Sequence, residues 1–227
     1  MKNTEKQKLI EEIKNGLEPA GIPEEYRDDK EVVMAAVKQD DKALAYASDK
    51  LRNDKNFIIR AVKKNGLALR YVPDRFKDDK DVVLAAVMDY GPALKYASDR
   101  LKDDLGVALA AINQDATSIF DVSDRLKDNR DVMLDAIWRN KYNICYASDR
   151  LKHDYDFIID AYKANSDITY PFINIDEETK QLIDSAKKLI EEKKPSLSSV
   201  LSKAEKASQE HNSKLNTQSR DDKDLEK

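Results

Sequence analysis

The chain has 227 residues, 41% of them hydrophobic and 37% charged, enough apolar content for a core but a charge load suited to a thin fold with much surface to cover. Its 40 basic and 44 acidic residues leave a net charge of -4, so no general attraction to nucleic acid or anionic membrane is expected. One cysteine, Cys145, and two histidines, His153 and His211, exclude an internal disulfide framework and a His/Cys metal site, and no run of 18 apolar residues is present to span a membrane.

The opening stretch MKNTEKQKLIEEIKNG has no uninterrupted apolar region, so a Sec-type signal is not expected. Residues 1–20 read as an N-terminal capping helix. Thr4 with Gln7 fits a capping box, Leu9, Ile10, Ile13 and Leu17 share a face, and Asn15-Gly16 supplies a left-handed stop.

Residues 21–175 are organised by repetition. Asp49, Asp74, Asp99, Asp124 and Asp149 lie 25 residues apart, each followed by Lys or Arg and then Leu or Phe, and Ala36, Ala61, Ala86, Ala111, Ala136 and Ala161 keep the same period. A fixed period without insertions marks units that stack on their neighbours. The fold expected is all-α, a right-handed-type α-solenoid of about six 25-residue αα-hairpin repeats with capping helices at both ends.

Within each unit a first helix of about twelve residues is expected, capped by Asp28, Asn53, Asp78, Asp103 and Asp128, with His153 in the sixth place. Val32, Val33, Ala36 and Val37 form its buried stripe, repeated as Val82, Val83, Ala86 and Val87. Asp40, Asn65, Tyr90, Asp115, Asn140 and Asn165 mark the turn, mostly residue types that tolerate positive φ, reinforced by Gly66 and Gly91. A second helix of about seven residues follows, and Pro73 stands where Ser48, Ser98, Ser123 and Ser148 stand in other copies. After Ile168 the pattern decays, with Pro171 and Asn174 breaking the columns. Residues 176–194 read as a C-terminal capping helix, and 195–227 have the composition of a disordered tail.

The units DKDVVLAAVMDYGPALKYASDRLKDD and NDKNFIIRAVKKNGLALRYVPDRFKDD resemble the tandem-repeat family known as domain of unknown function 4116, over roughly Gly21 to Asn165. The unit from Leu101 to Arg125 departs most, with Gly106 in the acidic position and Asp121 in place of Tyr. The resemblance implies no defined catalytic residues. It also implies a setting in proteins of intracellular bacteria, protists and large viruses, and hence interaction with host or cellular proteins.

The recurrent pair Asp99-Arg100 and its copies is expected to be structural, because groups that order every linker recur whereas groups that recognise a partner vary. Variable columns are the place to look for recognition. Lys38, Lys63, Met88, Asn113 and Trp138 form one row, and Ala45, Arg70, Lys95, Phe120 and Cys145 another. Partner binding is expected at Met88, Tyr90, Lys95, Phe120, Trp138, Arg139, Tyr142 and Cys145, where an aromatic patch of Phe120, Trp138 and Tyr142 stands out. Leu51 to Arg75 carries a local basic excess, making Arg60, Lys63, Lys64 and Arg70 candidates for anion binding.

Catalytic signatures are absent: no G-x-S-x-G, Walker A, H-E-x-x-H or paired-cysteine motif occurs. The chain therefore reads as a noncatalytic, monomeric scaffold without cofactor or metal. It is expected to bind a protein partner as an exported effector or adaptor, in the cytoplasm or, without a Sec-type signal, in a host cytoplasm. The alternative is a module that binds RNA or phosphate through its basic repeat.

Overall fold

Three short helices recur in every unit of the computed structural model, which describes residues 2–165 and 177–193 and contains no strand among them. Helix α1 (Lys2–Lys14) precedes the array. The long helices of successive units are α2 (Lys30–Gln39), α4 (Lys55–Val62), α6 (Lys80–Val87), α8 (Leu105–Gln114), α10 (Arg130–Arg139) and α12 (Tyr155–Ala164). Between them lie one-turn helices α3 (Asp49–Arg52), α5 (Asp74–Lys77), α7 (Asp99–Lys102), α9 (Asp124–Lys127) and α11 (Asp149–Lys152). Ahead of each one-turn helix runs a six-residue 3₁₀ helix: Asp41–Tyr46, Gly66–Tyr71, Gly91–Tyr96, Ala116–Asp121 and Lys141–Tyr146.

The repeat solenoid stands as expected, but the second helix of each hairpin is a 3₁₀ segment followed by a separate turn. Leu44 and Leu94 are buried within the 3₁₀ segments, and Ala47 and Ala97, the extended residues that end those segments, are buried as well.

Packing follows the columns. Val32, Val33, Ala36 and Val37 are buried in α2, and their counterparts are buried in every later long helix. They meet Ala43 and Leu44 of the 3₁₀ segment and Leu51 of the one-turn helix, so one layer of long helices packs on one layer of 3₁₀ helices. Neighbouring helices α4 and α6, α6 and α8, and α10 and α12 pack closely, whereas α8 and α10 touch least.

Three local expectations change in detail. The caps of the long helices sit one residue later than expected, at Asp29, Asp54, Asp79, Asp104, Asn129 and Asp154. Asp29 Oδ1, for example, accepts the amides of Glu31 (2.9 Å) and Val32 (3.2 Å). His153 instead ends α11, its Nδ1 2.7 Å from the Asp149 carbonyl. The turn residues are extended, with φ between -144° and -155°, and the first five begin the 3₁₀ helices: Asp40, Asp115 and Asn140 accept the amides of Lys42, Thr117 and Tyr142. Finally, α1 begins before Thr4, which is therefore interior to the helix.

Gly16 does adopt the left-handed conformation expected of a helix stop, with φ 102°. Gly66 and Gly91 are required for a different reason, close approach. A Cβ on Gly66 would stand 2.5 Å from the Ala86 carbonyl oxygen, and one on Gly91 2.6 Å from that of Ala111. Glycine at these positions lets one unit's turn press against the next unit's helix.

The chain divides into two compact units, Met1–Ile183 and Asp184–Lys227. A helix, α13 (Glu177–Lys193), forms where the C-terminal capping helix is expected. The expected breaks at Pro171 and Asn174 and the tail 195–227 lie outside the described residues.

Candidate interaction face

Two polar ladders join successive units and account for most of the recurring charge. In the first, Arg100 Nε donates to Asp78 Oδ1 (2.9 Å) and its Nη2 to the Asp78 carbonyl (2.6 Å), while the Ser98 hydroxyl donates to the same carboxylate. Arg125 repeats this on Asp103 and Arg150 on Asp128, and Lys50 pairs with Asp28 at 2.8 Å. The serine has two further bonds. Its amide donates to the preceding unit's Lys77 carbonyl (2.9 Å), and its oxygen caps the one-turn helix by accepting the Leu101 amide (3.3 Å).

These contacts hold the carboxyls of Asp78, Asp103 and Asp128 below the usual carboxylate range, through the serine hydroxyl first and the arginine second. The Asp28 carboxyl is lowered chiefly by Lys50 and then by Ser48. Asp99 itself is fully exposed and reaches only Lys102, at 3.6 Å, so the recurrent Asp-Arg pair divides its labour: the arginine staples units and the aspartate begins a turn. Pro73 supplies neither amide donor nor hydroxyl, and Arg75 meets Asn53 there instead of an aspartate.

The second ladder links the first residue of a long helix, or Lys6 within α1, to the cap of the next long helix. Lys6 meets Asp29 (2.9 Å), Lys30 meets Asp54 (2.7 Å), Lys55 meets Asp79 (2.7 Å) and Lys80 meets Asp104 (2.7 Å). At the next junction both partners differ, Leu105 standing in the lysine position and Asn129 in the cap position, and this is the junction where α8 and α10 touch least. The ladder resumes with Arg130, 3.7 Å from Asp154 and 2.6 Å from Asp160.

The outer side of the long-helix layer carries groups that belong to neither ladder. Met34, Ile59, Leu84, Leu109, Leu134 and Ile159 form a row, apolar in every unit and only half-buried. This row is not among the expected recognition positions. Its signal is legible in the sequence as a fifth apolar column beside the four of the buried stripe. Met88 (70% exposed) ends α6 and Trp138 (61% exposed) stands in the last turn of α10, and Arg139 lies over the Trp138 ring at 5.4 Å while pairing with Asp135 at 3.0 Å.

Two concavities open along this layer. The first, about 600 Å³, crosses α2, α4 and α6 and is lined by Met34, Lys38, Arg60, Lys63, Lys64, Ala85, Met88 and Asp89. It brings together Arg60, Lys63 and Lys64 as the sequence suggests and adds Lys38, while Arg70 sits on the 3₁₀ segment over the Tyr71 ring, outside this lining. The second, about 430 Å³, lies between α8 and α10, where Leu105, Leu109 and Asn113 face Asp131, Asp135 and Arg139.

The other expected partner-binding residues belong to the 3₁₀ layer and its turns. Phe120 is 63% exposed and meets Tyr146 edge-on, with ring centroids 5.8 Å apart. Lys95 lies over Tyr96 and Lys141 over Tyr142, and Tyr90 caps the Gly91–Tyr96 segment. Of the expected aromatic patch, Phe120 and Tyr142 thus stand on 3₁₀ segments and Trp138 on a long helix. Cys145 is partly buried beside Tyr146, and burial pushes its thiol up, away from the reactive thiolate. Among the described residues no group of three His, Cys, Asp or Glu could hold a metal ion, and no helix is long and apolar enough to cross a membrane.

No curated protein and no solved structure matches the chain. The family described as Domain of unknown function (DUF4116) matches at residues 14–52, 29–77, 54–102, 79–127 and 129–177, the first four spans overlapping, and each takes in parts of two or more neighbouring units. Those matches cover well over half of the sequence and follow the same 25-residue frame as the ladders and the core, so the chain belongs to the DUF4116 family.

Proposed function

We propose that the protein is a noncatalytic helical-repeat scaffold that binds a protein partner through the outer side of its long-helix layer, as an effector or adaptor. The observation that carries this reading is the half-buried apolar row from Met34 to Ile159, flanked by the exposed side chains of Met88 and Trp138. Met88 and Trp138 stand in a column that holds Lys38, Lys63 and Asn113 in other units, so stacking does not fix them, whereas the recurring row beside them also serves packing. Exposed apolar side chains such as Met88 and Trp138 beside a half-buried apolar row, with charged neighbours, are the usual chemistry of a protein-binding face. The raised Cys145 thiol and the concavities, which hold no converging acid–base pair, favour binding over catalysis. A lone cysteine favours a reducing compartment, a cytoplasm of the producer or of a host.

Affinity capture with the full chain tests the reading. Trp138→Ala is expected to leave the melting temperature intact, since the ring is exposed, and to abolish recovery of the partner. A large loss of stability without loss of capture would mean that the ring serves local packing instead.

A further inference from the structure

The basic concavity across α2, α4 and α6 carries more than the generic reading. Lys38, Arg60, Lys63 and Lys64 surround it, and among the described residues none of the four has an ion-pair partner, although the chain carries more carboxylates than cations. The basic residues of the two ladders, by contrast, are paired: Lys30, Lys55 and Lys80 with caps, and Lys50, Arg100 and Arg125 with the preceding unit. The one carboxylate in the lining, Asp89, is engaged by the Gly66 amide at 2.7 Å. Nor does the repeat require these cations. In later units the same columns hold Asn113, Trp138 and Asp135.

The floor between the cations is apolar, made by Met34, Ala85 and Met88. Methionine side chains are unbranched and adapt to apolar groups of differing shape. No aromatic ring lines the cavity, so the stacking that single-stranded nucleic acid exploits is missing. A volume of about 600 Å³ suits one large side chain with its neighbours.

Resting on the partner-binding reading, we infer that this concavity takes an acidic segment of a partner protein. Its carboxylates pair with Lys38, Arg60, Lys63 and Lys64, and one apolar side chain seats between Met34 and Met88.

The test is fluorescence anisotropy with the full chain and a labelled dodecapeptide of Glu and Asp around a central Leu. Saturable binding is expected, weakened about tenfold or more in the Arg60→Glu/Lys63→Glu variant, as expected when opposite charges at a contact are reversed. It should also weaken severalfold when the peptide's Leu becomes Ser, and stay unchanged in Arg70→Glu, which alters the same charge outside the lining. Lys63→Gln/Lys64→Gln serves as a milder second variant, with the melting temperature recorded for all. Absence of saturable binding, equal weakening by Arg70→Glu, or tighter binding of an oligouridylate of the same charge overturns the inference. Partner capture that depends on Trp138 but survives Arg60→Glu/Lys63→Glu also overturns it, and leaves the proposed function standing.

Discussion

Two buried positions show how narrowly the repeat constrains single residues. Ser118 occupies a column that holds Ala43, Ala68 and Ala93 in other units, and its hydroxyl is buried without a hydrogen-bond partner. Desolvation of an unsatisfied hydroxyl costs about 1 kcal/mol or more, so Ser118→Ala is expected to raise stability by about 1 kcal/mol, measured by chemical denaturation. Asn143 fills the same column without that penalty, because its Nδ2 donates to the carbonyls of Ala116 and Ala136, both at 2.9 Å. Gly66 is the opposite case. A methyl group there meets the Ala86 carbonyl at 2.5 Å, so Gly66→Ala should destabilise the protein by about 2 kcal/mol, the scale of an overpacked site that cannot relax freely.

At the scale of the elements, the ladders decide how units adhere. Arg125→Ala should lower the melting temperature, whereas Asp124→Ala, whose side chain is fully exposed and only 3.8 Å from Lys127 at its nearest, should barely change it. The lowered carboxyls of Asp28, Asp78, Asp103 and Asp128 fix the sign of the pH dependence. Their contribution is complete above the ordinary aspartate value of about 4 and is lost as the pH falls through the lower folded-state values. Acid titration of the melting temperature should therefore show a plateau near neutrality and a decline below about pH 4. The break at Leu105 and Asn129 gives a second test. Leu105→Lys with Asn129→Asp should raise the melting temperature more than the sum of the single changes, because each alone lacks its partner.

Much of this was legible in the sequence, and the failures have physical causes. The columns of Asp49 and Ala36 fix the period and the buried stripe. The caps were displaced by one residue because Asp28 and Asp29 are both good caps; helix register, which burial of Val32 and Val33 sets, chooses the second and frees the first for Lys50. That pairing spans 22 residues and becomes visible only once adjacent units lie side by side. Column alignment also cannot say which layer a row falls on: Phe120 stands on a 3₁₀ segment and Trp138 on a long helix.

For the whole molecule, the array separates adhesion from recognition. Buried columns and ladders recur in nearly every unit of the described array, while the outer side of the long-helix layer keeps one apolar row and varies around it, from Lys38, Arg60 and Lys63 to Asp131, Asp135 and Trp138. Repeats of this kind can change partner by altering exposed columns without disturbing the stack. The most direct test is the affinity of a captured partner for the wild-type chain and for Met88→Ser/Trp138→Ser, with melting temperatures measured in parallel. The account predicts an unchanged melting temperature and a loss of affinity of about tenfold or more, the scale expected for removing central apolar anchors. Undiminished affinity in that variant, with loss only on changing Phe120, would contradict it and move the binding surface to the 3₁₀ layer.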